Sequence, residues 1–126
     1  MLKISNLHAN IGDVKILNGV DLEIGKGDLH AVMGPNGSGK STLCHVLMGN
    51  PDFNADGEVT LNGSEILGKP QFERAEDGIF QSYQYPVGLP GVSLMEFVMA
   101  STGGLNEDEI ISVAKKFNVE EFLDRE

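Results

Sequence analysis

Gly34-Pro35-Asn36-Gly37-Ser38-Gly39-Lys40-Ser41-Thr42 is the stretch that decides the fold. It satisfies the pattern G-x-x-x-x-G-K-[ST]. In such a loop the glycines let backbone N–H groups close around a phosphate, the lysine supplies a mobile ammonium, and the hydroxyl after it suits magnesium. The motif carries weight only between a strand and a helix. Upstream, Leu29-His30-Ala31-Val32-Met33 is apolar enough for a buried strand. Downstream, a helix is expected from about Lys40 to Met48, stopped by Gly49 with Pro51 just beyond. Gly34 to Thr42 are therefore the expected phosphate-binding residues, Lys40 the local cation and Ser41 the metal ligand.

On the N-terminal side, Leu2 to Leu7 and Val20 to Ile24 alternate apolar and polar residues, as half-buried antiparallel strands do, with Gly12-Asp13 as a turn between them. Gly25-Lys26-Gly27-Asp28 is a second turn. On the C-terminal side, Glu58 to Leu61, Asn62-Gly63 and Ser64 to Ile66 form the strongest hairpin signal, because Asn-Gly accepts the positive φ angles of a two-residue turn. Pro70 begins a short helix ended by Gly78, and Ile79 to Tyr83 returns to a strand. After a loop rich in proline and glycine, Ser93 with Glu96 and Asn106 with Glu109 fit capping boxes. They predict a helix from Leu94 to about Ala100, with Leu94, Phe97 and Val98 inward, and another carrying Ile110, Ala114 and Phe117. Met95 and Met99 read as packing residues. The sum is an antiparallel β portion leading into a parallel α/β core with a helical tail.

A length of 126 residues, 40% hydrophobic and 22% charged, suits one folded domain over 1–126. The net charge of −10 argues against binding a polyanion such as nucleic acid. No apolar run is long enough to span a membrane, and the lone Cys44 cannot form an internal disulfide, so a cytoplasmic setting is expected. Cys44 reads as a small buried hydrophobe beside Leu43, Val46 and Leu47. His8, His30 and His45 have no metal-site spacing, and the acidic residues at 120–126 read as a solvated face.

The sequence from Gly34 to Leu43 resembles the Walker A segment of ABC-type ATPases more than that of small GTPases or kinases. His30-Ala31-Val32-Met33 and Tyr83-Gln84-Tyr85-Pro86-Val87-Gly88-Leu89-Pro90-Gly91-Val92-Ser93 are similar to segments of SufC, the ATPase family of the SUF iron-sulfur cluster assembly system. That family typically has Phe-Gln-Tyr-Pro, a spacer, then Ile-Pro-Gly-Val-Ser. Tyr83 and Leu89 depart conservatively from it. The resemblance runs from Met1 to about Ser101. It implies a P-loop NTPase of ABC type, ATP and Mg2+ as ligands, and Gln84 as the Q-loop glutamine that reaches the metal and the attacking water. Gln81 is the nearby alternative. It further implies ATP-dependent dimerisation and docking of soluble SufB/SufD-like scaffold proteins through Gln84 to Ser93. At Ile11, where many ABC ATPases stack an aromatic on adenine, an aliphatic contact replaces the stack.

Three readings stay open: the SUF-system ATPase, an ATPase subunit of an ABC transporter, and a non-catalytic fragment. No Ser-Gly-Gly-Glu-like signature, apolar strand ending in Asp-Glu or later histidine appears, so residues 1–126 are expected to represent about the first half of an ABC domain, ending in its helical region. Positioned water and charge compensation are both needed for phosphoryl transfer. This chain by itself is therefore expected to release phosphate from Mg-ATP no faster than background. Turnover that disappears in Lys40→Ala would overturn that expectation.

Overall fold

Alternation along the first residues does produce a strand, but a longer one than the pattern suggests. The computed structural model describes residues 1–85 and 88–125; Pro86 and Val87 of the expected docking loop, and Glu126, lie outside them. Strand β1 (Leu2–Ile11) turns at Gly12-Asp13 into β2 (Val14–Ile24), and β3 (Asn54–Leu61) turns at Asn62-Gly63 into β4 (Ser64–Glu65). Asn62 and Gly63 have φ of 51° and 87°, as the hairpin signal requires. The four strands form one antiparallel sheet in the order β2-β1-β3-β4.

A bulge in β1 sets which side chains enter the core. Ile4, Leu7 and Ala9 are buried, so one interval is three residues rather than two. The extra residue is accommodated around Asn6, which takes a φ of 49° and donates its backbone N–H to Asp21 Oδ1 at 2.8 Å. Register shifts fall here against both neighbours. Gly57 on β3 lies opposite with a φ of 129°, where a Cβ would come within 2.7 Å of the Asn6 carbonyl oxygen.

Helix α1 (Lys40–Met48) has the expected bounds and ends on Gly49 in the left-handed conformation. Its Leu43 and Val46 join Ile4, Leu7, Ala9, Leu17, Val59 and Ile66 in a core between helix and sheet. No side chain caps the N-terminus of α1. Burying Leu43 and Val46 contributes about 1.5–3 kcal/mol each, more than the ~1 kcal/mol a cap typically adds, so the helix holds without one. Cys44, expected inside, is exposed: it lies one position past Leu43, on the flank turned from the sheet. Helix α2 (Gln71–Glu76) follows Pro70, as predicted.

Two expected strands do not form. Residues 29–33 and 79–83 carry no ladder, and Leu29, Met33 and Phe80 are 96%, 86% and 89% exposed. A strand is stable only when neighbours take its N–H and C=O groups. Every ladder among the described residues lies within β1 to β4, all antiparallel, so the parallel pairing expected of these segments has no partner strand there.

The chain divides into two compact units, Met1–Ser82 and Tyr83–Glu126. In the second, α3 (Leu94–Thr102) and α4 (Glu107–Phe117) both begin with the expected capping boxes, Ser93 with Glu96 and Asn106 with Glu109. Hydrogen bonds from the Ser93 backbone and hydroxyl hold the Glu96 carboxyl below its ordinary pKa. Ile110, Ala114 and Leu123 form a small core, against which Met95 and Val98 pack. Of the α3 residues expected inward, only Val98 is; Leu94 and Phe97 are exposed, as is Phe117 on α4. A capping box fixes where a helix starts and leaves open which face is covered.

Replacing Gly57 with alanine should destabilise the first unit by about 1–3 kcal/mol, because a left-handed φ is forced on a residue whose Cβ meets backbone. Urea denaturation followed by far-UV circular dichroism measures this, and an unchanged midpoint would contradict the bulge assignment.

Candidate functional site: the phosphate loop

Residues 34–39 connect the unladdered segment to α1 as a tight loop. Pro35 accepts a hydrogen bond from the Ser38 N–H at 3.2 Å, and Gly37 and Gly39 have φ of 82° and 92°. Those two positions need glycine for backbone reasons. At Gly34 a Cβ would come within 2.8 Å of Ser38 Oγ, a contact that rotation of the serine side chain can relieve. Gly39 also presses the end of the loop against β2, where a Cβ would lie 2.9 Å from Leu17 Cδ2.

Lys40 opens α1 and folds back over the loop. Its Nζ donates to the carbonyl oxygens of Gly34 and Pro35, each at 2.8 Å. The first intrahelical bond runs from Leu43 N–H to Gly39 O at 2.9 Å, which leaves the N–H groups at the start of the helix outside the helical pattern. With no capping side chain and no carboxylate in the first turn, this end keeps its full positive potential. Ser41 is exposed and Thr42 half-buried at the same end. Gly34, Pro35, Asn36, Gly37, Ser38, Gly39, Lys40, Ser41 and Thr42 are thus brought together on one loop and one helix turn. Their chemistry fits an anion with an accompanying hard cation: backbone donors, one ammonium and a hydroxyl oxygen, with no competing acid.

Gln84 lies in the second unit, on an exposed bend, with Tyr83, Tyr85 and Leu89 also exposed. Gln81, in the first unit, is half-buried, and its Oε1 has no hydrogen-bond partner. Ile11 is exposed at the tip of the β1–β2 hairpin, paired with Val14.

The other end of α1 holds a residue to which no motif points. Arg74 of α2 is only 4% exposed. Its Nε donates to Lys69 O at 2.8 Å, one Nη to Val46 O at 2.8 Å and Leu47 O at 3.0 Å, and the other Nη to Leu67 O at 2.5 Å. Burial pushes the guanidinium below its ordinary pKa, and the nearby Glu65 carboxylate acts against that shift. All four acceptors are backbone carbonyls, which leave no signature in a sequence. The one trace is Gly49, where a Cβ would sit 2.8 Å from Arg74 Nε.

Comparison with known proteins agrees with this geometry. The family model described as ABC transporter matches residues 17–126. The chain belongs to the ABC transporter family. Among its relatives, the "Probable ATP-dependent transporter SufC" of Escherichia coli is 39% identical over 126 residues, covering 99% of this chain and 47% of that protein. The "Probable ATP-dependent transporter ycf16" of Trieres chinensis is 44% identical over 115 residues, 87% of this chain and 46% of that protein. An ATP-binding cassette of an ABC transporter, solved in its ADP conformation, superposes with a TM-score of 0.77 at 26% identity, covering 99% of this chain and 56% of that one. The fold is therefore that of the ABC-type P-loop ATPases, and the chain spans about half the length of the curated relatives it matches. No helix among the described residues is long and apolar enough to cross a membrane.

Lys40→Ala removes the only ammonium at the loop and should weaken binding of a fluorescent ATP analogue at least roughly tenfold, as loss of a charge-assisted phosphate contact does. Unchanged affinity in a folded variant would sink the assignment of the loop as a phosphate site.

Proposed function

We propose that the loop Gly34 to Thr42 binds the phosphates of ATP and that the protein is the ATPase of a SUF-type iron-sulfur cluster assembly system. The identity to SufC of Escherichia coli, 39% over 126 residues, is the observation that carries the SUF reading. In this reading the backbone N–H groups of the loop and the start of α1 hold the β-phosphate. Lys40 turns from the carbonyls of Gly34 and Pro35 toward the β- and γ-phosphates. Ser41 Oγ and the Gln84 amide hold Mg2+, and Gln84 also orients the attacking water. Bound magnesium offsets charge on the phosphate oxygens. Lys40 and Gln84 are thus the catalytic side chains within these residues, and Gly34, Pro35, Asn36, Gly37, Ser38, Gly39, Lys40, Ser41 and Thr42 the nucleotide-binding ones. Two copies close over nucleotide in an ATP-dependent dimer, in the cytoplasm.

The loop from Gln84 to Ser93 is the proposed docking surface for soluble SufB/SufD-like scaffold proteins. Exposed Tyr85 and Leu89 support that role, since apolar side chains on a loop gain by being covered. A second reading, the ATPase subunit of a membrane transporter, is favoured by the description of the matching family and by the word transporter in the relatives' names.

Affinity capture separates the two. The tagged chain should retain purified SufB/SufD-like scaffold, and Tyr85→Ala combined with Leu89→Asp should release it. Retention of membrane subunits in place of scaffold would favour the transporter reading, and scaffold binding unaffected by the double substitution would remove this loop as the docking surface.

A further inference from the structure

Arg74 is the one charged side chain among the described residues that is buried, and it grips the end of α1 opposite the phosphate loop. Burial of Leu43 and Val46 decides which face of α1 meets the sheet, but hydrophobic contact is non-directional and leaves the helix free to slide or rotate slightly. Hydrogen bonds to two consecutive carbonyls, Val46 O and Leu47 O, restrict both motions. A cation at a helix C-terminus is also favoured by the helix dipole.

The anchor for this grip is the sheet. Leu67 O and Lys69 O, the remaining acceptors, lie on the loop that leaves β4. That loop is tied down by Glu65, whose Oε1 accepts from the N–H groups of Val59, Ile66 and Leu67. Gly49, with a φ of 78°, both ends α1 and leaves room for the guanidinium. The backbone oxygen of Arg74 accepts from Ile79 N–H at 3.0 Å, so the same residue also ties down the residues just after α2.

We propose that Arg74 is a positioning residue of the phosphate site. By clamping the last-turn carbonyls of α1 to the loop after β4, it fixes where the other end of the helix presents Lys40 and Ser41. The proposal rests on the reading of Gly34 to Thr42 as an ATP-binding loop. A nine-residue helix is about 13 Å long and stiff, so a shift at one end appears at the other. Lysine cannot substitute, because a compact ammonium lacks the planar fork that reaches four carbonyls at once.

The test is the affinity of the full chain for a fluorescent ATP analogue, measured where far-UV circular dichroism shows each variant folded. Arg74→Lys should bind roughly tenfold more weakly, the scale of loss expected when a small misplacement reaches a binding group. Gly103→Ala, which strains the left-handed C-cap of α3 in the second unit, should melt earlier yet keep the parent's affinity. In Arg74→Ala, low-millimolar guanidinium should restore part of the lost affinity by occupying the vacated position. Equal affinity of Arg74→Lys and the parent, or an equal loss in Gly103→Ala, would overturn the proposal by making the effect absent or generic. If Arg74→Lys fails to fold, the guanidinium arm decides, and no recovery overturns it. A parent chain whose binding does not depend on Lys40 would defeat the ATP-loop reading itself, an outcome distinct from the others.

Discussion

The seating of α1 on the sheet is the constraint that holds the first unit together. Leu43 and Val46 meet Ile4, Leu7, Ala9, Leu17, Val59 and Ile66, and this single core is what keeps the start of the helix beside β2. Gly39 closes against Leu17 and Ile16 because it has no side chain, so the loop approaches the strand more closely than any other residue there would allow. The bulge at Asn6 belongs to the same arrangement. Without it Leu7 and Ala9 would point away from the helix, and α1 would lose two of the side chains it sits on.

What could be read from the sequence was whatever is decided locally. The bounds of α1, its stop at Gly49, the turn at Asn62-Gly63 and both capping boxes follow from a few adjacent residues and are observed. The tight turn before α1, with Gly37 and Gly39 in the left-handed region, was legible for the same reason, and its phosphate role is the reading proposed above. Residues 29–33 and 79–83 have the composition of strands, but a strand is defined by its partners, and composition does not say where those come from. The covered face of α3 likewise depends on the course of α4 and the turn after it, so Met95 rather than Leu94 or Phe97 joins Val98 against the core.

The site illustrates two kinds of legibility. Lys40 is named by its motif because its proposed task is to meet a ligand of fixed chemistry. Arg74 touches only backbone, and backbone carbonyls are the same at every position, so nothing in the surrounding letters announces it. Gln84 falls between these cases: a family resemblance singles it out, while the fold of the first unit, which ends at Ser82, neither needs nor explains it.

The pair of bonds from Lys40 to Gly34 and Pro35 has a consequence for recognition. A lysine side chain has about 2 kcal/mol of rotamer entropy to lose when it is immobilised. Here most of that loss accompanies folding, because two carbonyls already hold the ammonium at the mouth of the loop. In the proposed reading, an incoming polyphosphate would exchange these neutral acceptors for charged ones without having to order a free side chain. The loop is in this sense preorganised, and its discrimination should favour ligands whose oxygens bind the ammonium more strongly than two peptide carbonyls do.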